Sequence, residues 1–145
     1  MAGHDLPQVL LVRLWRLSVD ATFRGPLDSP EEIAGGALEG LVAQHLKAWI
    51  DLTDPITSLS FWRTPSGTEV DFVAYGQGVF CAIEVKHSSS VRSKDLRPLK
   101  AFRKDYPEAR LRLVYRGTER LEIDGILCLP CDEYLKKIIP GSELP

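Results

Sequence analysis

The chain has 145 residues, of which 44% are hydrophobic and 26% charged, with a formal net charge of −2. This composition is typical of a soluble globular protein, and the length suits one compact domain. No apolar run approaches the roughly 20 residues that a membrane helix requires, and three cysteines do not make a disulfide framework. These features exclude an integral membrane protein and a disulfide-stabilised secreted domain, and they predict a cytoplasmic protein.

The N-terminal residues 1–28 show no clear pattern and are predicted to be an extension that precedes one domain, residues 29–145. An apolar stretch at residues 9–17 contains Arg13 and Arg16, which argues against a signal peptide. The first helix is predicted to begin with Ser29 as its capping residue and Pro30 at its first position, and to end near Ile50. Its predicted apolar stripe consists of Ala34, Leu38, Leu41, Val42, Leu46, Trp49 and Ile50.

Glu39 occupies an unusual place on this helix. It lies three residues before Val42 and seven before Leu46, so it points towards the apolar stripe. A charged side chain in such a place needs a partner. Glu39 is therefore a candidate site residue, although a carboxylate that reaches solvent from the edge of the stripe explains the position equally well.

Three strands are predicted to follow the helix. The first covers about residues 58–64, and the next two are the alternating runs on either side of a turn in the sequence EVDFVAYGQGVFCAIEVK, residues 69–86. If Gln77 and Gly78 form a two-residue hairpin loop, Asp71 lies directly opposite Glu84. The hairpin face opposite these carboxylates is predicted to be apolar and to contact a core through Val70, Phe72, Cys81, Ile83 and Val85.

The same register places Glu69 opposite Lys86, on the face that carries Asp71 and Glu84. Directly opposed carboxylates lie about 4.5–5.5 Å apart at their Cβ atoms, and each raises the pKa of the other unless a cation lies between them. Mg²⁺ uses one or two carboxylates and several waters. The sequence therefore predicts a Mg²⁺ or Mn²⁺ site, whereas a cross-strand ion pair of Glu69 with Lys86 is the alternative that explains only the lysine.

Downstream, a helix is predicted from Ser93 to about Tyr106, with Pro98 in its second turn. A strand at residues 111–115 is predicted to return parallel to the hairpin, because a helix separates the two. A further strand at residues 126–129 and a final helix at 132–139 complete the chain. The predicted class is α/β (α+β), with the order αβββαβ and a mixed central sheet flanked by helices.

The charge of the chain is unevenly distributed. Residues 86–116 contain ten Lys and Arg and three acids, so this segment carries +7 and the remainder −9. A basic segment that begins at Lys86 suits a polyanion such as nucleic acid, with Arg92, Lys94, Arg97 and Lys100 as the candidate contacts. A solvated charged helix followed by an edge strand is the alternative explanation.

Cys128 and Cys131 form a C-x-x-C pair between the last strand and the last helix. A redox pair with a lowered thiol pKa is one interpretation. Two partly buried thiols that flank the start of a helix are the favoured one, because the pair does not open a βαβ unit.

Several of these motifs resemble a known superfamily. The arrangement Asp71…Glu84-x-Lys86 resembles the D…(D/E)-x-K signature of the PD-(D/E)XK nucleases. The phrases GALEGLVAQHL, FWRTPSGTEVDFV, AIEVKHS and ILCLPCDEYLKKI are similar to one branch of it, a C-terminal domain of poorly defined function attached to AAA-type P-loop ATPases of bacteria and archaea. The similarity covers about residues 35–139.

This resemblance implies a restriction-endonuclease-like fold and a Mg²⁺-dependent deoxyribonuclease, a hydrolase. Asp71, Glu84 and Lys86 would be the catalytic residues. Asp71 and Glu84 would bind the metal, Glu39 would support it, and the backbone carbonyl of Val85 would be a further ligand. The alternative is a non-catalytic module of the same fold, which binds DNA or a partner protein for an ATPase.

The sequence contains no G-x-x-x-x-G-K-[ST] motif, so a P-loop ATPase partner would be supplied by a domain missing from this chain. The chain is then expected to be either an excised C-terminal domain or a free-standing or truncated relative. DNA is the expected partner, no membrane is expected, and a homodimer would suit the cutting of both strands.

Overall fold

The computed structural model describes the backbone of residues 30–145 and the side chains from residue 34 onward. The predicted N-terminal extension and the capping residue Ser29 lie outside the described residues. Between residues 30 and 145, no helix is both long enough and apolar enough to cross a membrane.

The described chain forms three α-helices and six strands. The helices are α1 (Pro30–Thr53), α2 (Arg97–Asp105) and α3 (Cys131–Lys137). The strands are β1 (Ser58–Arg63), β2 (Glu69–Tyr75), β3 (Phe80–Val85), β4 (Arg110–Tyr115), β5 (Leu121–Ile123) and β6 (Ile126–Pro130). The predicted α/β class and the order αβββαβ are confirmed; the short strand β5 was not predicted.

All six strands belong to one mixed sheet in the order β1-β2-β3-β4-β6-β5. The first three strands form an antiparallel meander, and β4 and β6 run parallel to β3. The predicted parallel return of β4 is therefore correct. The prediction of an edge strand after the basic helix is wrong, because β4 lies between β3 and β6, and β5 forms that edge of the sheet.

Apolar side chains cover both faces of the sheet. Helices α1 and α3 lie on one face, where the buried cluster includes Val42, Leu46, Trp49, Phe72, Ile83, Val85, Leu129 and Tyr134. Helix α2 lies on the other, where the cluster includes Trp62, Val70, Val73, Ala82, Leu99, Phe102, Leu113 and Ile126. Each large apolar side chain that is fully buried contributes roughly 1.5–3 kcal/mol. The result is a three-layer domain with the sheet in the middle.

A β-bulge interrupts the pairing of β1 with β2, where the register shifts between Ser60 and Trp62. At this point one residue of β1 faces two residues of β2, Asp71 and Phe72. A bulge bends its strand and redirects side chains, and bulges are frequent beside active sites. The candidate ligand Asp71 therefore lies at the one irregular step of this hairpin.

The bulge also corrects the predicted division of the hairpin into one apolar and one charged face. Phe72 packs on the α1 side as predicted, but Val70 packs with Trp62 and Val73 on the α2 side. The extra residue shifts the alternation of side chains by one position. Buried residues thus cover both faces of the hairpin, and the ionisable groups lie where its strands end.

The helix predicted from Ser93 is divided in two. Residues Ser93–Leu96 form a 3₁₀ turn, and α2 begins at Arg97 with Pro98 in its first turn. A proline in the first turn of a helix lacks only an N–H that would have no helical partner there. The turn is closed by the carboxylate of Asp95, which accepts a hydrogen bond from the Arg92 N–H at 2.8 Å.

Gly36 gives a test of the energetics of α1. It is exposed within the helix, and a Cβ at this position would meet nothing within 4 Å. Gly36→Ala should therefore raise the free energy of unfolding by about 0.5–1 kcal/mol, measured by urea denaturation. The contrasting variant is Gly117→Ala, whose Cβ would lie 2.0 Å from the Tyr115 ring and should destabilise. A loss of stability in Gly36→Ala would contradict a helix that begins at Pro30.

Candidate active site

The hairpin of β2 and β3 has the predicted register. Phe72 pairs with Ile83 and Tyr75 pairs with Phe80, and the N–H of Gly76 donates to the carbonyl of Val79 at 2.9 Å. The loop is therefore the two residues Gln77 and Gly78. This register places Asp71 and Glu84 next to each other at the end of the ladder, as the sequence predicts.

The regular ladder between β2 and β3 ends at Phe72 and Ile83. Beyond it, the Oδ2 atom of Asp71 accepts a hydrogen bond from the backbone N–H of Val85 at 2.8 Å. The Asp71 carboxylate thus takes the place that a main-chain carbonyl of β2 would have if the ladder continued. The N–H and C=O of one residue in an extended strand point to the same side, so the carbonyl of Val85 is directed to the side of Asp71.

The side chains of Asp71 and Glu84 interact directly, and a hydrogen bond between them lowers the pKa of Asp71 and raises that of Glu84. Glu84 is buried, with 6% of its surface exposed, and its Oε2 atom has no hydrogen-bond partner. Two carboxylates in contact must share either a proton or a cation. The Oε2 atom of Glu84 is a buried acceptor for which the described residues supply no donor.

Burial and mutual repulsion control the ionisation of this pair. Burial in the first place, and then the charge of Asp71, raise the pKa of Glu84 to about 9. Burial also raises the pKa of Asp71, although the Val85 N–H and the neighbouring Lys86 favour its charged form. In the absence of a metal, Glu84 therefore holds a proton at neutral pH. A divalent cation would displace that proton and use both carboxylates.

Glu39 lies near this pair but does not complete a ligand cluster. Burial first, then the charges of Asp71 and Glu69, raise the pKa of Glu39 to about 7. Glu39 is half-buried, and its charge interacts with those of Asp71 and Lys86. Among the residues that the structure describes, however, no three His, Cys, Asp or Glu side chains are grouped closely enough to hold a metal ion. The donors that fit Mg²⁺ are two carboxylates, the Val85 carbonyl and water.

Lys86 follows β3 and extends its pairing with β4, because its N–H donates to the carbonyl of Val114 at 2.8 Å. Its charge favours the ionised form of Glu84 and of Asp71. It forms no ion pair with any described carboxylate, so the alternative pair of Glu69 with Lys86 is not present in this part of the chain.

The four predicted nucleic-acid contacts divide into two groups. Arg92, Lys94 and Arg97 are exposed around the start of α2, and none forms an ion pair with another described residue. Lys100 instead forms an ion pair with Asp124, which lies in the turn before β6. That turn is at the opposite end of the sheet from the carboxyl ends of β3 and β4, so the structure does not bring Lys100 to the candidate site.

Two residues near the site were not selected from the sequence. Arg116 follows β4, and its N–H donates to the carbonyl of Ser88 at 3.0 Å. Its Nη1 atom lies 3.4 Å from Nε2 of His87, and Nδ1 of His87 is buried without a partner. The position of both residues directly after predicted parallel strands could have identified them, because ligands of open α/β sheets bind at the carboxyl ends of parallel strands.

The C-x-x-C pair does not have the properties of a redox site. Cys128 and Cys131 are buried free thiols, and burial raises the pKa of both. A reactive thiol needs a lowered pKa and some exposure. The favoured prediction, two buried thiols flanking the start of the last helix, is confirmed.

Comparison with known proteins gives one match. A family model described as "Domain of unknown function (DUF4143)" matches residues 34–134, from within α1 to within α3. No curated protein and no solved structure matches the chain. The match includes Glu39, Asp71, Glu84 and Lys86.

Proposed function

Since this chain belongs to the DUF4143 family, whose domains are often found beside AAA-type ATPase domains, we propose that it is a metal-dependent nuclease domain that hydrolyses phosphodiester bonds in DNA. One observation carries the proposal. Asp71 and Glu84 are in buried contact, the Oε2 atom of Glu84 has no partner, and Lys86 follows them. The resemblance to the PD-(D/E)XK signature supports the same assignment.

The donor set fits a hard divalent cation. Mg²⁺ or Mn²⁺ at this place would supply a Lewis acid for the phosphate and a water of lowered pKa. Asp71 and Glu84 would hold it with the carbonyl of Val85. Asp71 is itself held by the Val85 N–H at 2.8 Å, which fixes its orientation before substrate arrives. Such fixed donors are what electrostatic catalysis requires.

Lys86 has the position of a residue that acts on the attacking water or on the phosphate. It lies two residues after Glu84, directly after the end of β3, and its ammonium forms no ion pair with a described carboxylate. It would either hold and deprotonate the water or neutralise the charge that grows on the phosphate oxygens. Either role requires the ammonium near the metal pair, which its influence on the pKa of Asp71 and Glu84 supports.

DNA would approach at the carboxyl ends of β3 and β4. Arg92, Lys94 and Arg97 are exposed in the segment that follows Lys86, and unpaired cations of this kind bind phosphates and make affinity fall with salt. Lys100 is excluded from this proposed surface because it pairs with Asp124. A P-loop ATPase domain would be the partner that delivers or moves the DNA.

A second candidate is a non-catalytic module of the same fold, which binds DNA or a partner protein. The small number of potential metal ligands favours this candidate, since no group of three potential metal-binding side chains is found among residues 34–145. A module without catalysis would still use the basic segment. It would not need two carboxylates in buried contact.

Lys86→Ala separates these candidates. We expect wild-type protein with Mn²⁺ to nick plasmid DNA or degrade single-stranded DNA, and Lys86→Ala to reduce the rate by about 100-fold or more, as for loss of an acid–base group. Binding of Mn²⁺, measured by calorimetry, should persist in Lys86→Ala. Lys104→Ala, an exposed lysine of α2, is the matched control.

The outcome decides between the two candidates. Cleavage that depends on metal and Lys86, but not on Lys104, would establish the nuclease. Metal-independent DNA binding without cleavage in any variant would refute it and favour the non-catalytic module.

A further inference from the structure

A groove lies at the carboxyl ends of β4 and β6, on the face of the sheet covered by α1 and α3. It has a volume of about 290 Å³ and is formed by α1, the loop after β4 and the first turns of α3. Its walls include Leu38 and Leu41 of α1 and Leu135 of α3. Leu41 was predicted to be in the core, but 42% of its surface is exposed. An apolar wall open to solvent in this way needs an explanation.

The groove and the carboxylate pair share two neighbouring segments, α1 and the chain that follows β4. Leu38 immediately precedes Glu39, whose charge interacts with Asp71 and Lys86. On the other side, Arg116 lines the groove and is joined through its N–H to Ser88, two residues beyond Lys86. The groove therefore lies at the same end of the sheet as the proposed metal site.

His87 connects these two walls. It lies directly after Lys86, and a Cβ on Gly35 of α1 would be 3.9 Å from its own Cβ. Its Nε2 atom, 3.4 Å from Arg116 Nη1, can accept a weak hydrogen bond from the guanidinium. His87 thus contacts Arg116 in the space between the end of β3 and the groove.

The chemistry of the groove is that of a single nucleotide. Three of its seven lining residues are leucines, and Arg116 forms no ion pair with a described carboxylate. The acid that lines the groove, Asp132, is balanced by Lys136 at 3.7 Å. Apolar walls with a few polar groups suit a flat base, and an unpaired guanidinium suits its phosphate.

We propose that this groove binds one unpaired nucleotide next to the scissile phosphate, and that the substrate of the nuclease is therefore single-stranded DNA or an unpaired DNA end. The proposal rests on the proposed nuclease function. In a duplex each base is stacked and paired, and taking it out of the stack costs a few kcal/mol. A single strand presents its bases without that cost. The base would lie against Leu38 and Leu41, and Arg116 would bind the adjoining phosphate.

The test measures DNA binding by fluorescence anisotropy with Ca²⁺ in place of Mg²⁺. The probes are a short labelled oligothymidylate and a blunt hairpin duplex of the same strand length. The variants are Leu41→Glu, which places a negative charge at the groove wall, and Arg116→Gln. The matched control is Leu52→Glu, on the same helix, where the leucine is 69% exposed and outside the groove.

We expect the wild type and Leu52→Glu to bind the single strand about tenfold more tightly than the duplex. Leu41→Glu and Arg116→Gln should each bind the single strand about tenfold more weakly than the wild type, the scale of one lost base contact. Affinity for the duplex should not change in Leu41→Glu. Equal affinity of the wild type for both probes, or equal behaviour of Leu41→Glu and Leu52→Glu, would overturn the groove proposal.

The nuclease proposal is tested separately on the same proteins. One outcome would refute the groove proposal and leave the nuclease proposal standing. In it, the protein cleaves blunt duplex with metal, the cleavage depends on Lys86, and Leu41→Glu and Leu52→Glu cleave at the same rate. If no variant binds or cleaves any DNA, both fall.

Discussion

Asp71→Asn is expected to abolish site-specific Mn²⁺ binding and DNA cleavage while the domain stays folded. Asparagine keeps an oxygen that can accept the Val85 N–H, now bound by Asp71 Oδ2 at 2.8 Å, so the end of the hairpin should be preserved. It removes the negative charge that a hard cation requires. We expect at least about 100-fold weaker Mn²⁺ binding by calorimetry, since even indirect partners of a metal ligand are worth 10–100-fold.

The control for this variant is Asp105→Asn, an exposed carboxylate at the end of α2. It should bind Mn²⁺ and cleave DNA as the wild type does. Circular dichroism and thermal unfolding check that Asp71→Asn is folded. Unchanged Mn²⁺ affinity in folded Asp71→Asn would refute the metal site and leave the paired carboxylates as a structural feature.

Glu84→Gln should stabilise the metal-free protein at alkaline pH. The pKa of Glu84 is raised from 4.5 to about 9, first by burial and then by the charge of Asp71. Between these values the folded protein binds more protons at this group than the unfolded chain does. The free energy of unfolding therefore falls as pH rises from about 4.5 to about 9. Glutamine resembles the protonated acid, can still donate to Asp71, and does not titrate.

The measurement is urea denaturation of both proteins in EDTA across this pH range. We expect the variant to be about 1–3 kcal/mol more stable near pH 9, the scale of relieving an uncompensated buried charge, and the difference to shrink towards pH 5. Glu84→Gln should still lose some stability as the pH rises, because the pKa values of Asp71 and Glu39 are raised as well. Glu122→Gln, an exposed residue of β5, should follow the wild type.

Added Mg²⁺ should reverse the order of stability. The metal binds the ionised pair, so it stabilises the wild type more at high pH than at low pH, and it should have no such effect on Glu84→Gln. A wild type whose stability does not change between pH 5 and 9, with or without Mg²⁺, would contradict the buried carboxylate pair. The pair thus links a loss of intrinsic stability to a proposed catalytic use, a common relation at functional sites.

Much of the hairpin was predictable because its signals are local. The alternation in residues 69–86 and the short Gly76-Gln77-Gly78 turn define the strands and the register. Register alone then brings Asp71 next to Glu84. The helix start at Pro30 follows in the same way from local backbone preference.

Other features needed information that adjacent residues do not contain. The bulge at Asp71 and Phe72 depends on how β2 meets β1, and it moved Val70 to the opposite core from the one predicted. The split of the basic helix at Pro98 depends on the turn closed by Asp95. The exclusion of Lys100 from the proposed DNA surface depends on Asp124, far away in the chain.

Local sequence patterns were sufficient to predict the class of the fold, the order αβββαβ, the hairpin register and the acid-acid-lysine set. These follow from periodicity and turn chemistry, which act over a few residues. Three features depend on packing between distant segments: the burial of Glu84 with an oxygen lacking a partner, the contact of Arg116 with His87, and the place of Leu41 in the wall of an open groove. Burial, pKa and cavities arise from elements packed across the sheet, and no local pattern specifies them.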